Sequence, residues 1–203
     1  MRWSSVTKPR ALLRGALWLS LALLAPITAH ALDCGKFKFP KCGARANQFA
    51  GGFKPRVGFG GFGGGDCKAV KTPVVFIHGN ADHAITWDAP VTGTLTGYST
   101  PSQSVYDVFK AHGYNDCEMF GITYLTSGER AAPQSNYHQP DKYRIIAKFI
   151  DAVRAYTGQP RVDIVAHSLG VSMSLATLSY YGSHPGGADW RSVRKFVNIA
   201  GGI

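Results

Sequence analysis

From residue 73 onward the apolar positions alternate between two patterns, short continuous runs and stripes at helical spacing. Pro73-Val74-Val75-Phe76-Ile77 is unbroken, as expected of a strand buried on both faces. Ser102 to His112 carries Val105, Val108 and Phe109 at helical steps, with Gly113 as a stop. Glu118 to Tyr124 reads as a second strand. Asp141 to Tyr156 is the clearest helix: Tyr143, Ile146, Ile150 and Val153 recur at three- and four-residue steps, and Gly158 and Pro160 end it. Arg161 to Ala166 contains the strand VDIVA, Leu169 to Tyr181 is a small-residue, apolar helix, and Lys195 to Ala200 a fourth strand. Strands alternating with helices predict the α/β class, a mostly parallel sheet with helices on both faces. A length of 203 residues suits one domain.

Two stretches lack this order. Asn47 to Cys67, including the glycine-rich segment 50–66, is expected to be loop, because glycine at this density loses too much backbone entropy for regular structure. Phe53, Phe59 and Phe62 suggest that this loop packs on the core. No Lys-Ser/Thr follows it, which argues against a phosphate-binding loop. Thr126 to Pro140 is polar and is expected to be a surface loop.

The N-terminus changes the picture of where the chain works. Arg2, Lys8, Arg10 and Arg14 precede the apolar run Ala16 to Leu24, then Pro26 and Ala29-His30-Ala31. This is the pattern of a secretory signal over residues 1–31, leaving 32–203 as a partial catalytic domain. The apolar run is shorter than the ~20 residues a spanning helix needs, so no stable membrane span is expected. Loss of the four basic residues would lower the net charge from +10 to +6. The remaining cations are dispersed, which speaks against nucleic acid as a partner. Export, extracellular or periplasmic, puts Cys34, Cys42, Cys67 and Cys117 where disulfides persist. Of the three pairings open to them, Cys34–Cys42 with Cys67–Cys117 is favoured. No Cys-x-x-Cys or paired Cys/His spacing suggests a metal.

The candidate chemistry lies at the VDIVA strand's end. Ala166-His167-Ser168-Leu169-Gly170 is a small-x-Ser-x-Gly string between a buried strand and a buried helix, the context of a nucleophile elbow. Ser168 is the candidate nucleophile. Small residues two before and two after it let strand and helix pass, and the helix N-terminus favours developing negative charge. His78-Gly79-Asn80 follows the first strand, where α/β-hydrolases draw one oxyanion N–H; the donors become Asn80 and Leu169. His78 and His167 are expected to be pocket-lining, His78 alternatively structural. His83 and His138 sit on loops placed to approach the pocket.

PVVFIHGN, VDIVAHSLG, VSMSLATL and VRKFVNIAGG, with AGGFKPRVGFGGFGGGDC and GYNDCEMFGITYL, resemble extracellular poly(3-hydroxybutyrate) depolymerases acting on native amorphous polymer, α/β-hydrolases similar to small bacterial lipases. The resemblance spans about Cys34 to Ile203. It implies a secreted serine esterase without cofactor, cleaving hydroxyalkanoate esters, with Ser168, Asn80 and Leu169 at the matching positions. One feature departs. The family order is Ser, then Asp or Glu, then His. After Ser168 stand only His184 and Asp189, in the reverse order. The triad acid and base are therefore expected beyond Ile203, making this chain the N-terminal part of its enzyme. Alone it would retain only a residual ~10³-fold acceleration. Trp87, Tyr98, Tyr137 and Trp190, in loop-like stretches, would adsorb a hydrophobic ester or polyester if exposed, or pack within the core. Glyceride hydrolysis and a non-catalytic binding role are the alternative readings.

Overall fold

A computed structural model describes residues 47–88, 104–134 and 138–202. The leader, Cys34 and Cys42, Tyr98 and Tyr137 lie outside the described residues. The strands are β1 (Asn47–Phe49), β2 (Gly61–Gly63), β3 (Val74–Ile77), β4 (Met119–Ile122), β5 (Val162–His167) and β6 (Val193–Ile199). The helices are α1 (Val105–Ala111), α2 (Ser127–Ala131), α3 (Pro140–Thr157) and α4 (Leu169–Ser183). The sheet order is β1-β2-β4-β3-β5-β6. β3, the unbroken apolar run, lies between β4 and β5 and is parallel to both. β6 adds in parallel to β5, and among the described strands only the β2–β4 pair is antiparallel. The mostly parallel α/β sheet expected from the alternation is present.

Each face of the central strands builds its own core. Val75, Ile77, Phe120, Ile122, Ile164 and Ala166 pack against Ile146, Phe149, Ile150 and Val153 of α3 and Val171, Met173 and Leu178 of α4. Phe62, Val74, Phe76, Met119 and Val165 pack on the other face with Ile85, Trp87 and Tyr106. A fully buried side chain such as Phe149 contributes roughly 2–3 kcal/mol by removal of apolar surface from water. Phe53 sits among Phe49, Phe120, Phe149 and Tyr156, with ring centroids 4.9–5.8 Å away.

The glycine-rich segment corrects the expectation of pure loop. Gly61-Phe62-Gly63 is a strand, and its glycines are the reason it pairs so closely. A Cβ on Gly61 would lie 2.1 Å from the Gly121 carbonyl oxygen, and one on Gly121 would lie 2.3 Å from the Phe62 ring. The entropic cost of glycine is offset by burial of Phe62. Phe59, by contrast, is exposed, with the Lys142 ammonium 5.7 Å over its ring. The expected loop at 126–140 contains α2, nucleated by a capping box in which Thr126 and Glu129 exchange hydrogen bonds. Glu129 also receives the buried Lys142 ammonium at 2.7 Å, which fastens α2 to α3. Trp87 is 8% exposed and belongs to the core, whereas Trp190 is exposed.

Cys67 and Cys117 form a disulfide with Cα atoms 5.8 Å apart, tying the glycine-rich segment to the turn before β4. Beside it the buried Glu118 accepts the backbone N–H groups of Val70, Lys71 and Asn115 at 2.7–2.9 Å.

Candidate active site

β3 and β5 end side by side, Ile77 in register with Ala166, so the segments that follow them meet. After β5 the chain reverses into α4 through Ser168, at φ 50° and ψ −124°. That left-handed region is costly for a side-chain-bearing residue and is kept only where packing imposes it. Gly170 shows what imposes it: a Cβ there would stand 2.4 Å from the His78 carbonyl oxygen and 2.7 Å from that of Ile77. Ser168 N–H is held by the Ile199 carbonyl of β6 at 2.9 Å. Ser168 is half-buried and its side chain makes no capping bond to α4.

The segment after β3 lies directly against this turn. A Cβ on Gly79 would be 3.1 Å from Ser168 Cβ and 2.8 Å from His167 Nδ1. The Asn80 N–H has no hydrogen-bond acceptor among the described residues. Leu169, first residue of α4, has no carbonyl one turn earlier to receive its N–H. Two unspent backbone donors thus flank Ser168. His167 is half-buried against Gly79.

His78 is buried rather than open to a pocket. Its Nδ1 lies 2.7 Å from the Gly79 carbonyl oxygen, and its Nε2 accepts the Tyr124 N–H at 3.3 Å. A carbonyl only accepts and an amide N–H only donates, so the ring is neutral with its proton on Nδ1. Tyr124 stacks on it at 4.4 Å and donates its hydroxyl to the His78 carbonyl at 3.2 Å. Burial is the main cause that lowers the His78 pKa to about 4, against the Gly79 hydrogen bond and Asp82, which raise it. In a planar trans peptide C=O and N–H point oppositely. Holding the Gly79 carbonyl against His78 therefore aims the Asn80 N–H away from it.

The Asn80 side chain holds the next turn: its Oδ1 accepts Ala81 N–H at 3.0 Å, and its Nδ2 donates to the Pro133 carbonyl just beyond α2. The surface loop expected here hides α2, for which the Thr-x-x-Glu box at Thr126 was the available signal, whereas the Pro133 contact has no local signal.

The other candidate histidines do not reach the Ser168 hydroxyl. His138 reaches the first turn of α4, with Nε2 3.0 Å from Ser172 Oγ. His83 lies half-buried on the segment after β3; burial lowers its pKa first, and Arg130 lowers it further against Asp82. His184 follows the last residue of α4, about 24 Å along the axis from Ser168. Asp189 is locked to Arg191, whose hydrogen bonds hold its carboxyl below the usual range. Among the described residues no cluster of His, Cys, Asp or Glu is arranged to hold a metal, and no helix is long and apolar enough to cross a membrane.

A family model described as Lipase (class 2) matches residues 71–182, just over half of the chain, a span that holds β3, β4, β5, the Ser168 turn and His78 to Asn80. No curated protein matches the chain.

Proposed function

The chain belongs to the class 2 lipase family, lipase-type hydrolases of the α/β-hydrolase fold, and from that premise we propose a secreted serine carboxylester hydrolase in which Ser168 is the nucleophile. The observation that carries the reading is the strained Ser168 turn between β5 and α4, with Gly79 packed against it. Ser168 Oγ attacks the ester carbonyl carbon. The carbonyl oxygen becomes an oxyanion that accepts the N–H groups of Asn80 and Leu169. Each such donor is worth about 3 kcal/mol in the transition state. Collapse expels the alcohol and leaves an acyl-Ser168, which water hydrolyses. The base that takes the Ser168 proton, and the acid that orients it, come from outside the described residues, since no described histidine pairs with Ser168. No cofactor enters this scheme.

We assign the substrate to polyhydroxyalkanoate esters on the strings around β3, β5, β6 and the glycine-rich segment. The Cys67–Cys117 disulfide fits export by the leader at 1–31 into an oxidising compartment. The test compares the enzyme and Ser168→Ala on amorphous 3-hydroxybutyrate polymer and on a short-chain triacylglycerol emulsion. Ser168-dependent release of hydroxyacids from polymer is expected. Hydrolysis of the glyceride alone would move the substrate to lipids; unchanged turnover in Ser168→Ala would remove the nucleophile.

A further inference from the structure

Beside the two flanking donors lies a second set of unspent polar groups. Arg130 is on α2, at the end of the sheet where β3 and β4 finish and where open α/β sheets bind ligands. Its Nε is buried without a hydrogen-bond partner, and so is His83 Nδ1. Orphaned buried polar atoms are uncommon and costly to keep. The described residues place no carboxylate within ion-pair distance of the Arg130 guanidinium. Glu129, its neighbour in sequence, is taken by Lys142 at 2.7 Å, and Asp82, next to His83, is turned onto its own loop, where Oδ1 accepts the His83 N–H at 2.8 Å and the Thr86 hydroxyl. The bond from Asn80 Nδ2 to the Pro133 carbonyl pins the end of α2 to the segment that carries the Asn80 donor. The field of Arg130 is felt by both His78 and His83.

We propose that Arg130, with His83 beside it, is a carboxylate subsite that holds the free acid end of a short hydroxyacid ester while its ester bond faces Ser168. The inference rests on the polyester reading, because there the leaving alcohol itself carries an acid. A glyceride offers no such group. An arginine fork matches a carboxylate with two parallel hydrogen bonds. His83, kept neutral by burial, adds no competing charge.

The experiment measures kcat/KM on the 3-hydroxybutyrate trimer as free acid and as methyl ester, for the enzyme, Arg130→Gln and Arg130→Lys. The parent is expected to prefer the free acid. Arg130→Gln should lose that preference, about tenfold or more on the acid, and leave the methyl ester unchanged; Arg130→Lys should recover part of it. Methyl-ester turnover also reports that each variant is folded. Equal loss on both trimers, or no loss on the acid, would overturn the subsite and leave the polyester reading intact. Trimers that are not cut while a triacylglycerol is cut would overturn both.

Discussion

Replacing His78 by glutamine tests the buried ring through its proton. The folded state holds His78 at a pKa of about 4, against an ordinary 6.5, chiefly because burial disfavours the cation. Protonation would also place a second N–H against the Tyr124 N–H that Nε2 now accepts. Between those two pKa values the unfolded chain takes up a proton that the folded chain refuses. Stability is therefore undiminished by this residue above about pH 7 and falls as the pH drops through that window. At about 1.36 kcal/mol per unit, His78 should cost the fold about 2 kcal/mol at pH 5 and about 3 kcal/mol once the window is crossed. Glutamine does not titrate, so urea unfolding of both proteins at pH 7 and pH 5 should give the variant the smaller loss, by about 2 kcal/mol. His83, whose pKa is also lowered, is common to both proteins and cancels. An equal loss in the two proteins, or an NMR titration of His78 with an ordinary midpoint, would refute the argument. The variant also tests the aim of the Asn80 N–H. Its kcat is expected to fall with KM little changed, since the oxyanion exists only on the reaction path.

Three other perturbations read out the turn and the staple. Ser168→Gly should abolish activity yet stabilise the fold by roughly 1 kcal/mol in thermal unfolding, because glycine occupies φ 50° without the penalty serine bears. Gly170→Ala drives a Cβ into the carbonyl oxygens of His78 and Ile77; a loss of about 3 kcal/mol is expected, with activity lost as the two turns separate. Replacing Cys67 and Cys117 by serine opens a loop of sequence separation 50; chain entropy predicts a loss of up to ~4 kcal/mol, measurable by denaturant midpoint.

Most of the candidate site was legible because its determinants are local. The apolar run before His78, the VDIVA run of β5 and the small residues two positions either side of Ser168 each state their own conformation, whatever packs around them. The glycine-rich segment misled for the converse reason. Gly61-Phe62-Gly63 has poor strand propensity, and it pairs only because Gly121, on a strand about sixty residues away, leaves room for Phe62. Trp87 stayed open between surface and core for the same reason: a ring in a turn is indistinguishable from a surface aromatic until Phe76 is found 5.2 Å from it.

By itself the sequence determined the order of β3 to β6 with α1, α3 and α4 between them, the class of fold and the position of the strand-to-helix turn at Ser168, since periodicity and steric size are properties of neighbouring residues. Only the tertiary structure decided which nitrogen of His78 carries the proton, that Asn80 and Leu169 keep their N–H groups unspent beside Ser168, and that α2 brings Arg130 to the segment after β3. Those depend on hydrogen-bond partners and charges contributed by segments far apart along the chain, and a partner exists only once the chain has closed around it.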